Sequence, residues 1–217
     1  MDNCYYFSIG RTSYTQTTLT KTNEHIFKLF KGVTSGNSDD LIYFKHLVLA
    51  TIPIVLAGLF LKDYLVSVFS IEILMYTYVF NAVILLLTRY TTNKSKEIDL
   101  KVAFLVGCSQ VLALLPGVSR AGMTICAGLF LGCDRKNTAK FSFFLAIPAL
   151  IGAIILESKN IITQFNIDPI SIFLGFIISM ITGLFFLDFL FKTLRSNRLW
   201  LFSYYCIFIW VVITFMI

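Results

Sequence analysis

Charged residues are scarce in this chain of 217 residues: Asp, Glu, Lys and Arg together make up 14%, against 57% hydrophobic residues. Soluble domains carry about a quarter charged residues, so this fraction, with its long apolar runs, excludes water as the solvent for most of the chain. Cysteine pairs are missing too. Cys4, Cys108, Cys126, Cys133 and Cys206 form no C-x-x-C and have no nearby histidine pair, which removes the usual zinc and redox signatures and leaves them as apolar gap-fillers. The net charge of +6 has no basic stripe or basic helix behind it, so nucleic acid is excluded as a partner. The first forty residues lack the apolar core of a secretory signal, and insertion is expected to rely on the spans themselves. Paired acids are absent from the apolar runs. Glu72, at the end of one run, and Asp188, one turn before Lys192, are the carboxylates within them, and both read as structural. His25 and His46 lie on the side of the N-terminal tail and read as interfacial.

What is present is a series of helix-length apolar runs, at about 46–61, 71–88, 141–156, 170–191 and 199–217. These predict an all-α, polytopic membrane bundle with about five spanning helices. Residues 1–40, polar and Thr-rich, predict a tail with a short surface helix around Asn23 to Phe30, leaving 41–217 as the membrane domain.

The segment 101–133 differs from the others, because Pro116-Gly117 divides it into pieces of about 15 and 16 residues. At 1.5 Å per residue each reaches only about 24 Å, short of a hydrocarbon core of about 30 Å. Two half-helices meeting inside the membrane are therefore expected, with the Pro-Gly turn lining a cavity. Loop charges support a re-entrant pair that enters and leaves on one side. The tail (Arg11, Lys21, Lys28, Lys31, Lys45) and the loops 89–101, 134–140 and 192–198 then place fifteen basic residues on one face, against Lys62 and Lys159 on the other. Positive residues mark the cytoplasmic side, so the N-terminus is expected inside and the C-terminus outside.

Arg120 is the residue that calls for an explanation. A guanidinium keeps its charge, and placing it within an apolar segment costs at least about 2.5–3.5 kcal/mol. Pro116-Gly117 stops one helix and Ser119 is a good N-cap for the next, so Arg120 falls in a first turn beside unpaired N–H groups and the positive dipole end. That combination attracts phosphate: Arg120 and Ser119 are the candidate catalytic pair, with the backbone near Ala121 and Gly122 holding further oxygens. The bland alternative makes Ser119 a plain cap and pairs Arg120 with a carbonyl or carboxylate of a neighbouring helix. Gly117 and Gly122 would admit close approach of a ligand, whereas Gly128 and Gly132 read as a packing face. Thr124 either holds ligand or bonds back to the Arg120 carbonyl. Gln110 either lines the cavity or bonds between helices.

Residues 107–153 resemble the bacterial undecaprenyl-diphosphate phosphatase (bacitracin-resistance) family. The family's P-G-x-S-R-S-G block corresponds to Pro116 to Gly122, and its F-S-F-L-L-A-I-P block to Phe141 to Pro148, with weaker likeness from Ala50 to Leu61 and in the later spans, over about 160 residues in all. The resemblance implies an inner-membrane hydrolase, built from inverted repeats with re-entrant helices, that removes one phosphate from a polyprenyl diphosphate at the outer face. It would recycle the lipid carrier for cell-wall synthesis and confer bacitracin resistance. It also implies a divalent cation, Mg²⁺ or Ca²⁺, and assigns diphosphate binding to Ser119 and Arg120, with Gly117 shaping the turn. Ala121 departs from the block's second serine, and the family's E-x-x-x-E and P-x-S-S-T-G-H region has no counterpart, so the chain reads as an N-terminally truncated member without ligands for the cation. A non-enzymatic membrane protein that binds or transports an anionic lipid is the competing expectation, since discontinuous helices serve transporters equally well.

Overall fold

The computed structural model describes residues 38–61, 64, 67, 69–92, 95–164 and 169–216. The tail and the expected helix near Asn23 to Phe30 lie outside the described residues, as does the side chain of Asp188. Among the described residues seven α-helices follow one another: α1 (Ser38–Phe60), α2 (Ile71–Leu87), α3 (Leu100–Val111), α4 (Arg120–Phe130), α5 (Arg135–Gln164), α6 (Pro169–Arg195) and α7 (Phe202–Met216). Single 3₁₀ turns extend α2 and α3 and precede α7. Four stretches, Leu41–Phe60, Ile71–Tyr90, Arg135–Ile155 and Ile170–Leu194, are long and apolar enough to cross a membrane. The fifth expected span is a shorter apolar helix, Leu199–Phe215, whose first turn is the 3₁₀ segment Leu199–Leu201.

The broken segment is a helical hairpin. α3 has 12 residues and continues through a 3-residue 3₁₀ turn, which matches the expected first piece of about 15, whereas α4 has 11 and is shorter than the sequence pattern predicts. The residues in between are used by the turn: Leu115 is extended and Gly117 is left-handed, at φ +85°. The two open ends of the hairpin are tied together, with Lys96 N donating to Gly132 O at 3.2 Å and Asp134 N donating to Lys96 O at 3.4 Å. Entry and exit therefore lie at the same end, which makes the pair re-entrant. Asp99 caps α3 by accepting from Val102 N at 2.8 Å, and that bond holds its carboxyl below the usual carboxylate range. α4 ends in a Schellman turn: Cys133 N donates to Gly128 O, Gly132 N donates to Leu129 O, and Gly132 sits at φ +83°. Gly132 is thus a helix stop. Gly128 does pack closely, since a Cβ there would collide with Thr138 of α5.

Basic loops gather at that same end. Arg135 donates to Thr91 O at 3.3 Å, Arg89 stacks over Trp200 at 5.1 Å, and Tyr43 of α1 packs with Ile98 in the same apolar cluster. The residues flanking the loops 89–101, 134–140 and 192–198 share one face, as the charge pattern requires.

Two apolar clusters hold the bundle. The first joins Leu47 and Ala50 of α1, Val102, Ala103 and Val106 of α3, and Phe141, Phe144 and Leu145 of α5. Gly107 lets α3 approach α1 so closely that a Cβ would collide with the Ala50 backbone. The second cluster joins Ala82 and Leu85 of α2, Ile125, Cys126 and Leu129 of α4, Leu194 of α6 and Cys206 of α7. α4 lies between the clusters, buried from Gly122 to Cys126. α6 and α7 instead turn large apolar side chains outward, among them Phe173, Phe185 and Phe208, as lipid-facing helices do.

Candidate functional site

Local sequence builds the start of α4. Proline removes a backbone donor, glycine takes the left-handed turn, and the Ser119 hydroxyl accepts from Gly122 N at 3.1 Å as the N-cap. The Ser119 O–H proton stays free to donate. The amides of Arg120 and Ala121, in the first turn, have no carbonyl behind them within the helix. α2 fixes the turn from the side. Thr77 Oγ1 lies in hydrogen-bond reach of Pro116 O, and a Cβ on Gly117 would stand 2.6 Å from that hydroxyl and 3.0 Å from Leu74 Cδ1. Gly117 therefore answers two demands at once, a positive φ and close helix approach.

A cavity of about 500 Å³ opens beside this turn. Gly117, Ser119, Ala121 and Gly122 line its polar end, together with Asn81 of α2. Phe186 and Phe189 of α6 and Phe202 of α7 form apolar wall. The sequence expectation that the Pro-Gly turn lines a cavity is met.

Arg120 is half-buried and does not belong to the lining of that cavity. Its Nε and Nη2 atoms are shielded from solvent and have no hydrogen-bond partner. The bland pairing with a carbonyl or carboxylate is thus not made by these two atoms. Gln110, fully buried on α3, likewise has neither its Oε1 nor its Nε2 partnered, so the interhelical bond considered for it is absent, and it is not in the lining of the cavity beside Ser119. Thr124 is engaged internally: its hydroxyl reaches Arg120 O at 3.0 Å and Ser142 Oγ of α5 at 2.6 Å. Glu72 is exposed in the first turn of α2, where a carboxylate complements the helix dipole.

Asn81 escaped the sequence analysis. An amide in the middle of the apolar run 71–88 was the available signal, since polar residues inside a span are rare and functional by default.

Among the described residues, no three His, Cys, Asp or Glu side chains come together in a way that could hold a metal ion, and the cavity lining contains no carboxylate. These residues do not fit a resident divalent cation. They fit an anion: hydroxyl, amide N–H groups and a helix N-terminus are all donors or positive, and the neighbouring Arg120 adds a guanidinium with two unpartnered nitrogens.

Comparison with known proteins decides the family. The family model described as bacitracin resistance protein BacA matches residues 12–212. The chain belongs to the BacA family. Its likeness to the family covers more than the expected 160 residues. An undecaprenyl-diphosphatase of Methanothermobacter thermautotrophicus is 34% identical over 166 residues, 73% of this chain and 92% of that protein. One from Methanococcus maripaludis (strain C7) is 36% identical over 83% of this chain and 72% of its own length. One from Treponema denticola is 35% identical over 79% and 64% respectively. The Pro116 to Gly122 block of this BacA-family chain is the turn and first helical residues described above.

Proposed function

We propose that this chain hydrolyses undecaprenyl diphosphate to undecaprenyl phosphate, recycling the carrier lipid for cell-wall synthesis and so opposing bacitracin. Family membership and the names of its relatives support the reaction. The observation that carries the site assignment is the Arg120 guanidinium, with two shielded nitrogens lacking any partner at the start of a half-helix inside an apolar bundle.

Phosphoryl transfer needs positioning and charge neutralisation more than covalent help from the protein. In this reading Arg120 grips two phosphoryl oxygens through parallel N–H bonds, relieving its buried donors. Ser119 donates its free O–H to another oxygen, and the Ala121 and Gly122 backbone lies against the phosphate, with Gly117 holding the turn. The apolar wall of Phe186, Phe189 and Phe202 accepts the isoprenoid chain. Family membership supports a plasma-membrane location, and the charge pattern favours the basic face and N-terminus in the cytoplasm and the C-terminus outside.

The test is phosphate release from undecaprenyl diphosphate by detergent-purified protein. Arg120→Ala is expected to lower the rate about a hundred- to a thousand-fold, as loss of a key oxyanion donor does. Arg120→Lys should recover only part of it, lacking the bidentate fork. The melting temperature of Arg120→Ala should hold or rise, because a buried unpaired charge is removed. A full rate in Arg120→Ala refutes the assignment. Lipid binding without phosphate release in the parent protein would instead identify a lipid carrier.

A further inference from the structure

We propose that Asn81 is a substrate-binding residue that holds the phosphate nearest the isoprenoid chain, leaving the terminal phosphate to Arg120; this rests on the phosphatase reading above. Asn81 is 3% exposed and lies within a membrane-spanning stretch, yet its carboxamide is poorly satisfied. Its Nδ2 reaches only the Cys206 thiol of α7, at 3.2 Å, and its Oδ1 has no partner. A sulfur is a weak acceptor, and an unpartnered amide oxygen in an apolar bundle is costly to keep. Thr77, one turn earlier on the same helix, shows what a satisfied structural residue looks like here, with carbonyls of Leu74 and Pro116 both in reach.

The carboxamide of Asn81 sits beside the site. A Cβ on Gly122 would lie 3.7 Å from Oδ1, which places the carboxamide against the first turn of α4, on the wall of the cavity. The two ends of a carboxamide are told apart only by their partners. Rotating it by half a turn lets the Cys206 S–H donate to Oδ1 and sets the Nδ2 N–H donors against the first turn of α4 at Gly122. A phosphoryl oxygen is the ligand that this donor set fits. A neutral amide also suits a dianion better than a carboxylate would, since it neither repels the ligand nor needs a counter-charge when the cavity is empty.

The division of labour follows from position. Asn81 and Ser119 line the cavity whose far wall is Phe186, Phe189 and Phe202, so a phosphate between them is the one joined to an apolar chain running along those rings. Arg120, next to Ser119 in the chain but outside that lining, then takes the phosphate farther from the isoprenoid chain.

Short prenyl phosphates test this in detergent, with affinities for farnesyl monophosphate and farnesyl diphosphate measured by calorimetry on the parent, Asn81→Leu, Asn81→Ser and Arg120→Ala proteins, and melting temperature recorded for each. Asn81→Leu is expected to weaken the monophosphate about ten- to a hundred-fold, as loss of a hydrogen bond to a charged group does. It should also melt no lower than the parent, since the orphan oxygen is gone. Arg120→Ala should leave the monophosphate nearly untouched and erase the preference for the diphosphate. Asn81→Ser, too small to disturb packing, should repeat the loss of monophosphate affinity. Parent-like affinity in both Asn81 variants overturns the proposal, and so does a lowered melting point with unchanged affinity in the folded protein. If the parent binds both probes but releases no phosphate from undecaprenyl diphosphate, the phosphatase reading fails while the affinities still decide the role of Asn81.

Discussion

Replacing Gly117 by alanine should do more damage than any other single-methyl addition at the turn, and the structure gives the size of the effect. The residue sits at φ +85°, where an L side chain costs about 1–2 kcal/mol. The new Cβ would also meet Thr77 Oγ1 at 2.6 Å, Leu74 Cδ1 at 3.0 Å and Tyr78 Cδ2 at 3.2 Å, an overpacking that costs about 1–3 kcal/mol. Lower freedom of the unfolded chain offsets about 0.4–1 kcal/mol of the sum. A net loss of about 1–4.6 kcal/mol remains, which corresponds to a melting shift of roughly 2–18 °C in a chain of this size. Thermal melts of detergent-purified protein measure it. Gly152→Ala is the control, because nothing lies within 4 Å of its Cβ position and alanine is the better helix former; its melting temperature should hold or rise. Combining Gly117→Ala with Thr77→Ala removes the nearest obstacle, so the pair should lose less than the sum of the singles, by about 0.5–3 kcal/mol. Phosphate release should fall with Gly117→Ala even in the folded fraction, because the turn sets where Ser119 and Arg120 stand. Equal melting of Gly117→Ala and Gly152→Ala would refute the account of the turn.

Thr124→Val removes the bond to Ser142 and strands a buried hydroxyl, so stability should drop by about 1–3 kcal/mol while phosphate release by the folded protein stays near the parent rate; a folded but inactive Thr124→Val would mean that this hydroxyl holds ligand instead. Asp99 gives a pH signature: its carboxyl is held below its ordinary value by the Val102 amide, so it stabilises the folded state above the unfolded pKa and that contribution is lost as pH falls through the lower, folded one. Melting temperature against pH should therefore fall on acidification in the parent and less in Asp99→Asn, which keeps a capping oxygen without the titration.

The break at Pro116-Gly117, the Ser119 cap and the placing of Arg120 in a first turn were all legible along the chain, because each is decided within four or five residues by a missing N–H, a permitted positive φ or a side-chain acceptor. The re-entrant course was legible for a different reason: basic loops cannot be shared evenly between two faces, and the hydrogen bonds joining Lys96 to Gly132 and Asp134 bear this out. Gly132 has a role the spacing did not announce, since G-x-x-x-G spacing and a Schellman glycine look alike until the carbonyls that Gly132 and Cys133 bond to are known.

Sequence alone determined where helices start, stop and turn back. Only tertiary structure decided what faces what: that Thr77 of α2 reaches Pro116, that Thr124 is consumed by Ser142, that Asn81 meets the start of α4, and that two nitrogens of Arg120 have no partner. In a water-soluble helix an apolar stripe would have announced the inward face. Here lipid and protein interior are equally apolar, so helices such as α2 are hydrophobic all round and carry no azimuth in their sequence; packing of small residues and buried polar atoms sets it.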